Sequence, residues 1–252
     1  MECRSTARSR CEGRNALIID AHVHWKGGVY PGDERVGADD LFEALESADV
    51  SKAVVVGLDP HDAETLRAVT EEHGTRLAAL IDVAPSDVDS HAVQSAVQYV
   101  DGFGETYIRC GSSQLPREYF RPVLDLARST SRPILLHTGD FSYTAPAMMA
   151  DMVRNYPDVV FVLGHSGSLA FVRDAIEVAK AFPNTYLETS GMTSPLMLRR
   201  AVDELGAERI LFGSDYPFWH PAVERARVDS AGLDPAASML ILGENAQRVF
   251  GL

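Results

Sequence analysis

The chain has 252 residues, of which 46% are apolar and 23% are charged, and its formal net charge is −13. These proportions are typical of a globular protein, and the length suits two small domains or one (βα)8 barrel, which needs about 250 residues. The acidic excess argues against nucleic-acid binding, because such a surface needs clustered basic residues. No apolar run approaches the roughly 20 residues of a membrane span.

The first fifteen residues are rich in arginine and serine and lack the apolar segment of a secretory signal. We expect residues 1–15 to form a disordered tail. The three cysteines, Cys3, Cys11 and Cys110, provide no disulfide framework, so we expect a reducing compartment, the cytoplasm. Residues 16–252 contain no linker or low-complexity stretch and are expected to form one domain.

Eight short apolar runs alternate with helical stretches after the tail. Several of the runs are almost continuously apolar, as is typical of strands that are buried on both faces in a parallel sheet. Between them, apolar residues recur at helical spacing, as at Leu41, Phe42 and Leu45. Eight strand–helix alternations predict an α/β protein with the (βα)8 TIM-barrel fold. The predicted strands are 16–20, 52–58, 76–83, 103–109, 133–137, 159–164, 185–189 and 209–214.

The first predicted strand leads into two histidines separated by one residue, His22 and His24. Side chains alternate between the two faces of a strand, so both imidazoles point one way and Val23 points the other. An apolar strand seldom carries two polar rings on one face without a partner for them. The pair therefore indicates a metal site, and a hydrogen-bonded pair in a turn is the alternative.

Other metal-binding residue types stand at the ends of later strands. His137 is the last residue of the fifth run, and His165 and Asp215 directly follow the sixth and eighth runs. In a (βα)8 barrel the active site lies at the carboxyl ends of the strands, so these side chains and the two earlier histidines converge on one mouth. Each histidine taken singly is more often a hydrogen-bonded core residue, but the ordered set favours a metal centre.

The ordered set resembles the amidohydrolase superfamily. The sequences His22-Val23-His24 and Gly213-Ser214-Asp215-Tyr216-Pro217, with His137 and His165, are similar to its signatures in strands one, eight, five and six. The segment from Gly243 to Phe250 resembles the closing helix of the amidohydrolase-related group, which includes metal-dependent hydrolases and nonoxidative decarboxylases. The resemblance covers the chain from about residue 16 to its end.

This resemblance implies one or two divalent ions, with zinc as the expected metal. His22 and His24 would bind the metal, and Asp215 would bind it and accept a proton from its water molecule. His137 would complete the shell of a single ion or bind a second one. His165 would be the other ligand of a second ion, or an acid/base group beside a single ion.

The fourth strand departs from the pattern of many relatives, which carry a carbamylated lysine there. This chain has no lysine between Lys52 and Lys180. Glu105 resembles the strand-four glutamate that bridges two ions in TatD-type enzymes, because a carboxylate also offers two hard oxygens. The alternative is a surface glutamate paired with a basic side chain.

An arginine and three aromatic residues near the expected mouth are candidates for substrate binding. Arg109 has the forked guanidinium that binds carboxylates, although an exposed surface arginine is the more common case. Trp25, Tyr216 and Trp219 flank ligand positions, where they would form an apolar wall for the substrate or pack within loops.

The leading hypothesis is a metal-dependent hydrolase in which hydroxide on the metal attacks a C–O or C–N carbonyl-type bond of a small molecule. The alternative within the family is nonoxidative decarboxylation of a small carboxylic acid. A third hypothesis is a binding or scaffold protein that has lost activity. We expect no nucleic-acid or membrane partner, and barrels of this kind often pair through their outer helices, which implies a homodimer.

Overall fold

The computed structural model describes residues 17–25, 37–107 and 116–252. The predicted tail and Arg109 lie outside these residues. Eight parallel strands follow one another in chain order in one sheet. The strands are β1 Ile19–His24, β2 Lys52–Leu58, β3 Leu77–Ile81, β4 Gly102–Thr106, β5 Ile134–His137, β6 Phe161–Gly164, β7 Thr185–Glu188 and β8 Ile210–Leu211.

The sheet closes on itself between β1 and the segment that follows β8. The amide of Ala21 donates a hydrogen bond to the carbonyl of Phe212, and the amide of His24 donates one to the carbonyl of Tyr216, each at 2.8 Å. These bonds join the last strand to the first and complete the barrel. The (βα)8 TIM barrel predicted from the sequence is confirmed.

Helices connect the strands on the outside of the barrel. Five of them begin with proline, where its missing amide hydrogen costs nothing: Pro116, Pro146, Pro195, Pro221 and Pro235. The described helices are α1 Ala38–Ser47, α2 Ala63–Arg67 with the π-helical turn Ala68–Glu72, α3 His91–Ala96, α4 Pro116–Thr130, α5 Pro146–Asn155, α6 Ser168–Ala181, α7 Pro195–Leu205, α8 Pro221–Ser230, α9 Pro235–Met239 with the π-helical turn Leu240–Glu244, and α10 Asn245–Phe250. In the described part of the chain no helix is long and apolar enough to cross a membrane.

Two apolar clusters lie on opposite sides of the sheet. Val54 and Val56 belong to a small cluster that joins residues of six strands, which meet only inside the barrel. Ala53 and Val55 belong to the larger cluster between the sheet and the helices. The alternation along β2 shows why the run is continuously apolar, since each of its faces is buried.

The first strand carries a bulge that aims its histidines inward. The pairing of β1 with β2 shifts register between Asp20 and Val23. Ile19 and Ala21 lie in the interior cluster, but Val23 lies in the outer one, so the alternation changes phase within the strand. An extra residue in one strand of a pair has this effect. The predicted strand, 16–20, ended before the two histidines. In the structure β1 extends to His24, so both histidines lie within the strand.

The carboxyl-terminal segment closes the amino end of the barrel. Ala246 and Phe250 join the interior cluster. The side-chain amide of Asn245 donates hydrogen bonds to the carbonyls of Ala207 at 2.8 Å and Ile210 at 2.7 Å, which fixes the segment to the start of β8. Gly243 in the π-helical turn lies directly against the chain just before β1.

Replacing Gly243 with alanine is expected to lower the free energy of unfolding by about 3 kcal/mol, because the added methyl group would overlap the backbone carbonyl oxygen of Leu17. Gly251→Ala is the matched control, with a φ of 74° and no atom within 4 Å of the added group. That variant should lose only about 1 kcal/mol, from the left-handed backbone. Denaturant unfolding measures both, and equal losses would contradict this packing.

Candidate metal centre

The carboxyl ends of the strands bring six predicted ligands together. His22 and His24 come from β1, Glu105 from β4 and His137 from β5. His165 directly follows β6, and Asp215 lies four residues beyond the end of β8. All are buried except His24, whose side chain is 22% exposed. The sequence therefore placed each of these residues at the correct end of the barrel.

A first group of ligand atoms surrounds the two histidines of β1. Oδ1 of Asp215 lies 3.1 Å from Nε2 of His24 and 3.5 Å from Nε2 of His22. Oε2 of Glu105 lies 3.7 Å from each of the same two nitrogens. Four ligands about 2.1 Å from a tetrahedral ion are separated by about 3.4 Å, so these spacings suit a zinc ion.

A second group lies on the other side of Glu105. Its Oε1 is 2.7 Å from Nδ1 of His137 and 2.9 Å from Nε2 of His165, and these two nitrogens are 3.0 Å apart. These are hydrogen-bond distances. An ion bound between the three atoms would require them to separate by roughly 0.5 Å.

Glu105 thus directs one carboxylate oxygen to each group. Burial opposes its charge, but the charge and hydrogen bonds of the surrounding imidazoles outweigh this effect and hold the pKa of Glu105 well below its usual value. An ionised carboxylate with its oxygens in two different nitrogen sets is suited to bridge two cations.

An unpartnered nitrogen among the candidate ligands is further evidence that these side chains fit a divalent metal. Nε2 of His22 is buried and has no hydrogen-bond partner, although it lies among the ligand atoms of Glu105 and Asp215. A buried polar atom without a partner is costly unless something binds it. Imidazole nitrogen with carboxylate oxygen is a set that zinc accepts, and His22, His24 and Asp215 form one of the candidate metal-binding groups.

Sequence reasoning missed a buried carboxylate behind the ligands, Glu188 at the end of β7. Its Oε2 accepts a hydrogen bond from Nδ1 of His22 at 3.0 Å and from the amide of His165 at 3.0 Å. Burial opposes its charge, but the hydrogen bond and charge of His22 lower the pKa of Glu188 below its usual value. The signal was the charged residue of the predicted strand 185–189, at the end of the strand that faces the site.

The bulge of β1 is held by a second buried carboxylate, Asp20. Its Oδ1 accepts hydrogen bonds from the amide of His22 at 3.1 Å and from the amide of Ser214 at 2.8 Å. Burial raises the pKa of Asp20 to about 7, although these hydrogen bonds oppose the shift. Asp20 therefore joins the strand that carries the histidines to the segment that carries Asp215.

A cavity of about 380 Å³ opens above the ligands. Tyr107 stacks on His137 with ring centroids 3.9 Å apart, and Phe218 packs edge-on against His24 at 5.8 Å. Trp219 also lines the cavity and is 37% exposed. Aromatic rings thus stand beside two of the histidine ligands and give the mouth an apolar wall.

Trp25, the other tryptophan of the chain, lies elsewhere. It is buried, packs against Phe42 and His73, and does not line the cavity. The cause is strand periodicity, because Trp25 follows His24 and points to the outer face. Of the two tryptophans expected at the mouth, the structure places Trp219 there and not Trp25. Arg109 lies outside the described residues.

Trp219→Ala is expected to raise KM about tenfold, because an apolar contact to the substrate is lost while the metal ligands are untouched. Trp25→Ala is the control. It should leave KM unchanged and lower the free energy of unfolding by roughly 3 kcal/mol, since it empties a buried site. Steady-state kinetics and denaturant unfolding of the two variants check this. A KM change confined to Trp25→Ala would reverse the assignment.

The comparisons with known proteins agree with this geometry. The amidohydrolase family model matches residues 19–252. The chain belongs to the amidohydrolase family. The resemblance inferred from the strand-end motifs is confirmed, and this amidohydrolase is an enzyme of that family. It is 26% identical, over 93% of its length and 98% of the relative's, to a protein of Mycobacterium tuberculosis described as an uncharacterized metal-dependent hydrolase TatD.

Two solved structures share the fold of this amidohydrolase. The 5-carboxyvanillate decarboxylase LigW of Sphingomonas paucimobilis superposes with a TM-score of 0.68 at 15% identity, covering 94% of this chain and 99% of that one. A probable 2-pyrone-4,6-dicarboxylic acid hydrolase of Acinetobacter baumannii gives a TM-score of 0.68 at 15% identity, covering 93% and 99%. At these identities the likeness concerns the fold, which hosts both hydrolysis and decarboxylation.

Proposed function

We propose that this amidohydrolase hydrolyses a carbonyl C–O or C–N bond of a small molecule with two divalent ions, and that the metal is zinc. The observation that carries the proposal is the position of Glu105, whose two oxygens face two separate sets of nitrogens. His22, His24 and Asp215 would hold one ion, and His137 and His165 the other. The metal-dependent hydrolase of Mycobacterium tuberculosis supports the same chemistry.

The ions would lower the pKa of a bound water molecule and polarise the substrate carbonyl. Asp215 is placed to move the proton. Its Oδ1 faces the histidines of β1, while its Oδ2 lies 3.9 Å from Nδ1 of His165, beyond hydrogen-bond distance. The carboxylate lines the cavity and so can accept a proton there and return it to the leaving group.

The substrate would lie between the aromatic side chains of the mouth. Tyr107, Phe218 and Trp219 line the cavity, which suits the apolar body of a small molecule, and they keep water away from the reacting bond. Asp140, half exposed at the same cavity, lies 2.9 Å from Nε2 of His137. This contact holds the ring so that Nδ1 faces Glu105.

The experiment is removal and restoration of the metal with a panel of lactones, esters and amides. Treatment with a chelator should abolish hydrolysis, and added zinc should restore it to at least the activity of the untreated protein. The aromatic-substituted members of the panel should be preferred. Hydrolysis that persists in protein free of metal would overturn the proposal.

The second candidate function is metal-dependent decarboxylation of a small carboxylic acid. The hydrogen-bond distances between Glu105, His137 and His165 favour it. If these three side chains bond to one another and hold no ion, a single ion lies among His22, His24 and Asp215. His165 is then free to act as an acid/base residue. The same panel is therefore extended with aromatic carboxylic acids, and carbon dioxide is measured. Its release without hydrolysis of any neutral substrate would select this candidate.

A further inference from the structure

Glu188 is a buried carboxylate that the proposed reaction does not use. Its side chain has no exposed surface, and it receives four hydrogen bonds. Oε2 accepts from Nδ1 of His22 at 3.0 Å, from the amide of His165 at 3.0 Å and from Oγ of Ser190 at 2.7 Å. Oε1 accepts from the amide of Ser190. Glu188 itself contributes no atom to either group of candidate metal ligands.

The hydroxyl of Ser190 extends this arrangement to a second histidine. Oγ of Ser190 lies 2.8 Å from Nδ1 of His165. A hydroxyl has one hydrogen, and an ionised carboxylate only accepts. Because Ser190 donates its hydrogen to Glu188, its oxygen can only accept from His165. A hydrogen of the His165 ring is therefore on Nδ1, which leaves Nε2, the nitrogen that faces Glu105, as the atom available to a metal.

The same reasoning applies to His22. Glu188 cannot donate, so the hydrogen of the His22 ring is on Nδ1 and the unpartnered Nε2 presents its lone pair to the ligand atoms of Glu105 and Asp215. We propose that Glu188 is a positioning residue that, directly and through Ser190, fixes His22 and His165 in the tautomers that bind metal through Nε2. One carboxylate thereby prepares a ligand in each of the two groups.

A glycine of the chain makes room for this carboxylate. A methyl group added at Gly213 would overlap Oε1 of Glu188 and come within 2.7 Å of its Cδ. The backbone of Gly213 is not left-handed, so the requirement for glycine is one of space. The first residue of the Gly213-Ser214-Asp215 motif is thus explained by Glu188, while the last is a ligand.

The proposal rests on the metal centre of the proposed function, and its test does not depend on which reaction occurs there. Zinc affinity is measured by competition with a chromophoric chelator in wild type and in Glu188→Gln. The amide cannot accept at both former oxygens, so zinc affinity should fall about 10- to 100-fold. Glu224→Gln is the control, since Glu224 is also a buried glutamate, but its ion-pair partner is Arg227. That variant should stay within twofold of wild type.

Two further variants separate positioning from a general effect on folding. Gly213→Ala leaves every polar group in place and should weaken zinc binding in the same direction, by displacing the Glu188 carboxylate. In a His22→Ala background, Glu188→Gln should lose the part of its effect that passes through that histidine and keep the part that passes through Ser190 to His165. Unchanged zinc affinity in both single variants, or full additivity in the double variant, would overturn the proposal.

Nitrogen-15 spectra of the imidazoles in zinc-loaded wild type give a readout that does not depend on the folding of Glu188→Gln. Three rings, those of His22, His24 and His165, should show a hydrogen on Nδ1 and zinc on Nε2, and histidine-to-alanine variants assign the signals. In Ser190→Ala the Nδ1 hydrogen of His165 should exchange faster with solvent while that of His22 is unchanged. Zinc on Nδ1 of His22 or His165 would contradict the proposal even if Glu188→Gln fails to fold.

Discussion

Asp215→Asn is expected to lower kcat/KM by about 1,000-fold or more at saturating zinc. The amide keeps an oxygen that can face the histidines of β1, but it cannot accept the proton of the attacking water. Positioned general bases contribute about 100- to 10,000-fold, and this one also supplies negative charge to the ligand set. Steady-state kinetics with the best substrate of the hydrolysis panel measure the loss.

The control is Asp203→Asn on the exposed surface of α7, which should stay within twofold of wild type. Both variants replace one aspartate by asparagine, so any difference in activity between them is due to the position of the carboxylate in the structure. If Asp215→Asn keeps a tenth or more of the wild-type activity, the role assigned to Asp215 is wrong.

Glu105→Gln is expected to remove one ion per chain and to lower kcat/KM by at least about 100-fold. Loss of a group that only supports a metal ligand costs up to about 100-fold, and loss of a ligand should cost at least as much. The amide offers one oxygen where the carboxylate offers two, so it serves one nitrogen set and presents hydrogens to the other. Metal analysis after zinc loading and desalting measures the loss of the ion, and kinetics measure the loss of activity.

Comparison with histidine variants decides which ion is lost. His137→Ala should lose the same ion as Glu105→Gln, so the double variant should bind no fewer ions than either single variant. Glu204→Gln, at a partly exposed glutamate of α7 that is paired with Lys180 and Arg200, is the control and should keep the full metal content. Full metal content in Glu105→Gln would contradict the bridging role.

The barrel and the convergence of the candidate ligands at one of its ends could be predicted because both depend on local patterns. Continuous apolar runs and helical spacing determine the strand–helix alternation, and the place of the site in a (βα)8 barrel follows from the direction of the strands. His137 at the end of β5 and His165 just after β6 needed only that rule.

What the sequence did not provide depends on contacts between distant residues. The bulge of β1 exists because Asp20 binds the amides of His22 and Ser214, which are far apart in the chain. The role of Glu188 needs the register of β7 against β6 and β8, and no local pattern specifies that register. The position of Trp25, in contrast, could have been predicted from the sequence. The strand periodicity that puts His22 and His24 on one face also puts Trp25 on the other, outer face.

The central claim is a metal centre in which Glu105 lies between two ions, and the most direct test is the number of zinc ions bound per chain. Protein purified without chelator, loaded with zinc and desalted is analysed by plasma mass spectrometry. The account predicts two ions per chain. A single ion would contradict the bridging role of Glu105 and support decarboxylation, and no ion after supply of zinc or manganese would contradict the metal centre itself.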